Sequence, residues 1–339
     1  MRAARESMKA IQVRRYGGAE ELVEWDLEIP DPGPGEALLR ITHAGVNFID
    51  IYTRQGVYRH SRTYPNSPPF VPGMEATGIV EALGEGVEHV RRGERVAYCL
   101  SLGAYAEYAV VPAWRLVGVP DGLDPGIAVS LMLQGCTAHY LTHSLYALEA
   151  GQICLVHAAA GGVGQLLLQL ARLRGARAIA TVGSEEKAAI AAGLGADPVI
   201  RYDEVKFDDA VLAATGGRGV DVVYDGVGRS TFFGSLKSLR TRGTLALFGG
   251  ASGAVESVSP LDLAEAGSIF FTRPHMADYM TSSEEIAWRA GDMFRFAMQG
   301  DLEVRIDREY PLARAADAHR RMEQGATRGK LLLIAGDAE

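Results

Sequence analysis

Ala159, Gly161 and Gly164, in the stretch CLVHAAAGGVGQLLLQ from Cys154 to Gln169, stand at the spacing of a dinucleotide-binding turn. The usual pattern is G-x-G-x-x-G, and here alanine takes the first place. The chemistry this spacing serves is the holding of a pyrophosphate. Gly161 and Gly162 let backbone approach phosphate oxygens, and the helix that follows offers N–H groups and the positive end of its dipole. Gly164 lets that helix pack on the preceding strand. Ala159 is compatible with the turn if its position does not require a left-handed φ.

The end of the next strand bears on which dinucleotide is bound. A site for NAD wants a carboxylate roughly 20 residues downstream, on the ribose 2′-hydroxyl. Nineteen residues beyond Gly164 comes Gly183, in TVGSEEK, followed by Ser184 and Lys187. A small residue leaves room for a 2′-phosphate, which a hydroxyl and a cation can bind. Ser184 also stands where a helix cap would stand, and the two roles coexist. Glu185 and Glu186 oppose an added phosphate, yet the set as a whole favours NADPH over NADH.

Such residues need a scaffold that brings strand ends and helix starts to one edge. Candidate strands at 153–158, 177–182, 198–202, 220–225, 243–249 and 268–272 alternate with candidate helices. Continuous apolar strands alternating with helices predict a parallel sheet covered on both faces, and six of them complete a doubly wound Rossmann sheet. The first third differs. EALLRITHAGV, ATGIVEAL, ERVAYCL and YAEYAVVP read as short strands between Gly/Pro turns, as in an all-β, barrel-like unit. Residues 121–148 read as two helical stretches broken near Gly135. The closing strand GKLLLIAG is expected to return to the first unit, because the six-strand sheet is already complete.

The 339 residues carry a net charge of −8, which argues against nucleic acid as the main partner. Cys99, Cys136 and Cys154 form no C-x-x-C and suit a reducing, cytoplasmic setting. No signal-peptide pattern or membrane-length apolar run is present. Met8 opens a typical strand, so residues 1–7 read as a disordered extension or a mis-assigned start. His43, His60, His89 and His139 show no metal-ligand spacing.

GVNFIDIYTRQGVY, LGAYAEY, LQGCTAHYL, HAAAGGVG, TVGSEEK, VVYDGVG and FGGASGAV occur in this order. With them the chain, from about Met8 to Ile334, resembles the zinc-free quinone oxidoreductases related to ζ-crystallin, in the medium-chain dehydrogenase/reductase superfamily. The resemblance implies a GroES-like β-barrel catalytic domain over 1–130, a Rossmann NADPH-binding domain over 131–275, and a return to the catalytic domain over 276–339. It places substrate in a cleft between them. The positions of the zinc-ligating Cys and His of related alcohol dehydrogenases hold Asn47 and Met74, which cannot replace a thiolate and an imidazole, so no metal is expected. The acceptor must then be electrophilic already, such as a quinone.

By the same resemblance Asn47 and Tyr52 line the catalytic site, with Asp50 orienting them, and Thr137 sits beside the nicotinamide. Ala160, Gly161, Gly162 and Val163 go to the pyrophosphate, and Gly183, Ser184, Lys187 and Tyr202 to the 2′-phosphate and adenosine end. Phe248, Gly249 and Ser252 go to the nicotinamide half, with Arg273 and Lys330 as further cofactor candidates. A homodimer or higher homo-oligomer is implied. The alternatives are an NADPH-dependent reductase of α,β-unsaturated ketones or aldehydes and, in another class, a non-catalytic NADPH-binding protein of crystallin or RNA-binding type.

Overall fold

The computed structural model describes residues 6–336. The chain divides into two compact units. One comprises the described residues up to Cys136, Met280–Met298 and those from Val304 onward; the other comprises Thr137–Tyr279 and Gln299–Glu303. The crossings fall a few residues beyond 131 and 275. Residues 1–5 lie outside the described part, and Ser7 already pairs with Glu28 in a hairpin of Ser7–Gln12 with Val23–Glu28.

In the first unit a seven-stranded sheet is built around Glu36–Val46. This strand pairs antiparallel with Glu75–Leu83, with Tyr108–Pro112 and with Lys330–Ile334. Its eleven residues are buried or half-buried except Arg40, so it runs through the core rather than along one face of it. Lys330–Ile334 also pairs in parallel with Ile306–Pro311, so the end of the chain is a sheet strand of this unit. The register sets Leu331 opposite Val46, which brings Lys330 level with Asn47.

The second unit is an α/β sandwich. Its six strands, Ile153–Val156, Arg177–Val182, Val199–Arg201, Val220–Asp225, Leu239–Leu247 and Phe270–Thr272, are all parallel. In space they follow the order 3-2-1-4-5-6, the doubly wound nucleotide-binding arrangement. Val220–Asp225 is buried along its whole length, as a central parallel strand requires. The first strand ends at Val156, because His157 already begins the turn. The fifth begins at Leu239 rather than 243, since the preceding helix stops at Lys237 and Arg240 binds Asp221 on the adjacent strand at 2.6 Å.

The expected break at Gly135 is absent. Residues 125–145 stay helical, with α-turns at Pro125–Ser130 and Cys136–Tyr140 and π-turns at Leu131–Gly135 and Leu141–Leu145. Gly135 serves packing instead: a Cβ there would lie 3.3 Å from Leu131 and 3.4 Å from the Met293 methyl. Among the described residues no helix is long and apolar enough to cross a membrane.

Candidate active site

The glycine turn leaves the first parallel strand and opens the helix Gly162–Leu173. The left-handed residue of the turn is Ala158, at φ 49°, and Ala159 is not left-handed. Alanine at the first fingerprint position is therefore tolerated, and the strain sits one residue earlier. A Cβ on Gly164 would lie 2.5 Å from the Ala158 carbonyl oxygen and 2.7 Å from the Ala159 Cα, so only glycine fits. Gly161 is the N-cap, and no side chain caps the helix. The first-turn N–H groups, which lack intrahelical partners, are thus left for an external acceptor, as a pyrophosphate cradle demands. Ala160, Gly161, Gly162 and Val163 form this corner.

At the end of the second parallel strand Ser184 caps the helix Glu185–Gly193, its hydroxyl accepting from the Lys187 N–H at 3.3 Å. Tyr202 explains the missing carboxylate at Gly183. Its phenol crosses the glycine so closely that a Cβ would lie 2.3 Å from the hydroxyl oxygen. Gly183, Ser184, Lys187 and Tyr202 are therefore brought together. Arg201, which sequence reasoning missed, joins them, but Glu185, Asp203 and Glu204 already bind its guanidinium at 3.1, 2.7 and 2.7 Å.

The Phe248, Gly249 and Ser252 loop is clasped to the segment after the fourth strand. Phe248 and Ser252 donate backbone N–H bonds to Asp225 and Val227 oxygens at 2.9 and 2.8 Å. The Ser252 hydroxyl donates to the Val227 carbonyl at 2.8 Å and accepts from the Ser230 N–H at 3.0 Å, so it staples the loop. Asp225 is the anchor. Its buried carboxylate accepts from the Val227 and Gly228 N–H groups at 2.8 and 3.0 Å and from the Thr231 and Ser235 hydroxyls at 2.7 and 2.9 Å. VVYDGVG carried this signal, an acid directly before a glycine turn. Arg273 donates to the Phe248 and Pro274 carbonyls, both at 3.1 Å, and Thr137 touches the Met276 sulfur at 3.4 Å.

In the first unit Asn47 caps the helix Phe48–Arg54, and its side chain lies in a buried ionic cluster. The Lys330 ammonium donates to Asn47 Oδ1 at 2.8 Å and to Glu75 Oε1. Asn47 Nδ2 donates to Glu75 at 2.7 Å, and Gln134 donates to Asn47 Oδ1 at 3.3 Å. The second Glu75 oxygen accepts from the Leu133 N–H at 2.6 Å. Gly45 makes the cluster possible, because a Cβ there would lie 2.1 Å from Glu75 Oε1. The Lys330 ammonium, expected at the cofactor, is buried and binds Glu75 and Asn47. Glu75 and Gln134 were missed, although Glu75 directly follows Met74.

Asp50 lies behind Asn47 and accepts its backbone N–H at 2.8 Å. Tyr105 donates to the same oxygen of Asp50 at 3.2 Å, and its own oxygen lies 3.1 Å from His319 Nε2. His319 Nδ1 lies 3.4 Å from Arg54, whose other nitrogen binds Glu323. Burial pushes the Asp50 carboxyl up to about 7, and burial together with the Arg54 charge pushes the His319 imidazole down to about 3. Tyr52, on the same helix, packs on Phe48 and Tyr58 with ring centroids 6.0 and 6.1 Å apart. Among the described residues no three His, Cys, Asp or Glu side chains converge to hold a metal. At Asn47 and Glu75 a cation would have to displace an ammonium.

A six-strand nucleotide sheet with an uncapped glycine turn, in one chain with a mixed sheet carrying a lysine-filled polar cluster, is the composition of a medium-chain dehydrogenase/reductase. Residues 33–121 match the family described as alcohol dehydrogenase GroES-like domain, and residues 162–293 match that described as zinc-binding dehydrogenase. The chain is 40% identical over 329 residues to a 2-haloacrylate reductase of a Burkholderia species, covering 96% of this chain and 98% of that protein. It is 38% identical over 327 residues to quinone oxidoreductase 1 of Escherichia coli, covering 96% and 98%. The crystal structure of Escherichia coli quinone oxidoreductase complexed with NADPH superposes with a TM-score of 0.93 at 37% identity, covering 96% of this chain and 99% of that one. The chain belongs to the zinc-free quinone oxidoreductases of the medium-chain superfamily.

Removing Lys330 strands a buried carboxylate. Lys330→Met should destabilise the protein by about 3–5 kcal/mol in urea unfolding, and adding Glu75→Gln should recover much of the loss. An unchanged midpoint in the single variant would contradict the ion pair.

The two perturbed groups oppose each other in pH dependence. The raised Asp50 carboxyl contributes stability that is full below about 4 and lost as pH rises through about 7. The depressed His319 contributes stability present above about 6.5 and lost as pH falls toward about 3. Between about 4.5 and 6.5 the slopes cancel, each near 1.4 kcal/mol per pH unit. In that window His319→Gln should lose stability with rising pH relative to the parent, and Asp50→Asn should gain it. Parallel urea curves for all three at every pH would show that neither group is perturbed.

Proposed function

We propose that this chain is a zinc-independent NADPH:quinone reductase in which Asn47 is the polar group facing the acceptor oxygen. The observation that carries this reading is the ammonium of Lys330 in the Asn47–Glu75 cluster. Bound NADPH supplies the hydride. With the Lys330 ammonium bound at Asn47 and Glu75, and no cluster of metal ligands among the described residues, the acceptor has to be electrophilic already, as quinones are. Lys330 and Gln134 take up Asn47 Oδ1, and Glu75 takes one Nδ2 hydrogen. Among the described residues no group takes the second, which is left for an oxygen gaining charge. A donor fixed in this way needs no reorganisation as the charge develops. Tyr52, on the first helical turns after Asn47, offers an aromatic wall with Phe48.

The cofactor end follows from residues in one unit. Ala160–Val163 hold the pyrophosphate, Gly183 leaves no side chain against a 2′-phosphate, and Ser184, Lys187 and Tyr202 receive it. Phe248, Gly249 and Thr137 border the nicotinamide half, with Ser252 and Arg273 shaping its loop. A 2-haloacrylate reductase among the relatives favours, as a second reading, reduction of other conjugated carbonyls. A homodimer is supported by the sheet edge at Phe270–Thr272, in a unit where Phe270 and Leu261 are both exposed. A reducing, cytoplasmic compartment agrees with three buried free cysteines.

The test is the initial rate of NADPH and NADH oxidation with ortho-quinones, para-quinones and enones, with and without a chelator. Chelator-insensitive, quinone-dependent rates favouring NADPH are expected; turnover of enones alone would move the chain to the second reading. Lys187→Ala should raise KM for NADPH by about 10- to 100-fold, the worth of one charge-assisted bond, and leave that for NADH unchanged. Equal losses with both cofactors would separate Lys187 from the 2′-phosphate.

A further inference from the structure

Reducing a quinone to a hydroquinone takes one hydride and one proton, and the reading above names no source for the proton. The side chains behind Asn47 converge on one carboxyl. Arginine can only donate hydrogen bonds, so Arg54 makes His319 Nδ1 an acceptor and places the imidazole hydrogen on Nε2. That hydrogen then points at the Tyr105 oxygen, and the Tyr105 hydrogen points at Asp50 Oδ2. The Asn47 N–H ends on the same oxygen. Both donors that reach the carboxyl, the Tyr105 hydroxyl and the Asn47 N–H, thus end on Oδ2. Oδ1 is buried and has no hydrogen-bond partner. A carboxylate with one oxygen so stranded is poorly solvated, whereas a carboxylic acid can carry its hydrogen on Oδ1.

The charged and titratable groups facing Asp50 are few. Glu75 and Lys330 lie on neighbouring strands with opposite effects, Tyr98 and Tyr105 are buried phenols held neutral by burial, and His319 and Arg54 stand behind Tyr105. Burial outweighs the stabilising bonds from Asn47 and Tyr105, so the carboxyl loses its proton only near 7.

We propose that Asp50 is the acid that completes the reduction, with Tyr105, His319 and Arg54 as its positioning residues. This rests on the quinone-reductase reading. As hydride reaches the acceptor, the O–H bond at Asp50 Oδ1 breaks and an O–H bond forms on the reduced oxygen, directly or across one water. The carboxylate left behind is held by the Asn47 N–H and the Tyr105 hydroxyl until solvent returns the proton. Charge and atoms balance: quinone, hydride and one proton give hydroquinone.

The decisive measurement is kcat against pH, from 5.5 to 9, at saturating NADPH and quinone, for the parent, Tyr105→Phe, His319→Gln and Asp50→Asn, each checked for folding by its melting transition. An acid works protonated, so parental kcat should fall with rising pH along a limb near 7. Tyr105→Phe removes a donor that favours the carboxylate, so its limb should move to higher pH by about one unit. A merely structural defect would lower kcat without moving the limb upward. Asp50→Asn should lose the limb and about 100-fold or more of kcat. If Asp50→Asn does not fold, the direction of the Tyr105→Phe shift decides. A flat parental profile, or a Tyr105→Phe limb that stays or moves down, overturns the acid role while quinone turnover keeps the reductase reading intact. Absence of quinone turnover in the parent overturns both.

Discussion

The contact on which the catalytic unit depends is the buried bond of the Lys330 ammonium to Glu75 and Asn47. Bare charges inside a protein are tolerated only when paired and hydrogen-bonded, and here the register pairs the ammonium with Glu75 and bonds both to Asn47. Lys330–Ile334 must enter the sheet beside Glu36–Val46 with Leu331 opposite Val46, or the ammonium misses Asn47. Glu75–Leu83 must pair on the other side of that strand, and Gly45 must lack a side chain, or Glu75 has nowhere to lie. One ion pair therefore ties three strands far apart in sequence, and with them the cap of the helix that carries Asp50 and Tyr52.

The nucleotide unit solves its own problem with backbone rather than charge. Its strained residue is Ala158, just before the fingerprint glycines, and Gly164 is squeezed against it. A non-glycine residue in a left-handed conformation persists only where the surroundings over-determine it. The His157 imidazole does part of this, bridging Thr181 on the second strand at 2.7 Å and Ser235 at 2.9 Å. Ser235 in turn donates to Asp225, the anchor of the Phe248 loop. The glycine turn and the Phe248 loop are thus joined through one buried polar chain, so the two segments proposed to hold the cofactor share common contacts.

Much of this was legible in the sequence, for a physical reason. Parallel strands are apolar along their whole length and their turns demand glycine, so the six strands, the Ala159–Gly164 turn and the Gly183–Lys187 corner all announce themselves locally. What was not legible is whatever depends on long-range register. Lys330 reads as a terminal strand lysine until the sheet sets it beside Asn47. Tyr105, His319 and Arg54 come from three distant segments, and nothing in any of them hints at the others. Gly135 misled in the opposite direction: a glycine in a helical pattern signals a break, but here it answers close packing by Leu131 and Met293. Ser252 and Arg273, placed near the cofactor by resemblance, also bind backbone of other segments, Ser252 the Val227 carbonyl and Arg273 the Phe248 carbonyl.

An ammonium at this position differs from a metal in more than charge. A metal polarises a carbonyl by direct coordination, which is strong enough to activate an unconjugated ketone or stabilise an alkoxide. The Lys330 ammonium is paired with Glu75 and bonded to Asn47, so with Asn47 at the acceptor, as proposed, its charge would act on a substrate oxygen through the Asn47 amide, one hydrogen bond removed and offset by the Glu75 carboxylate. Such a site can orient an acceptor and soften developing charge, but the acceptor must spread most of that charge over its own conjugated system. Hydroquinone anions and enolates do so; a simple alkoxide does not. On the proposed placement of Asn47, a preference for conjugated acceptors follows from the electrostatics of one buried lysine.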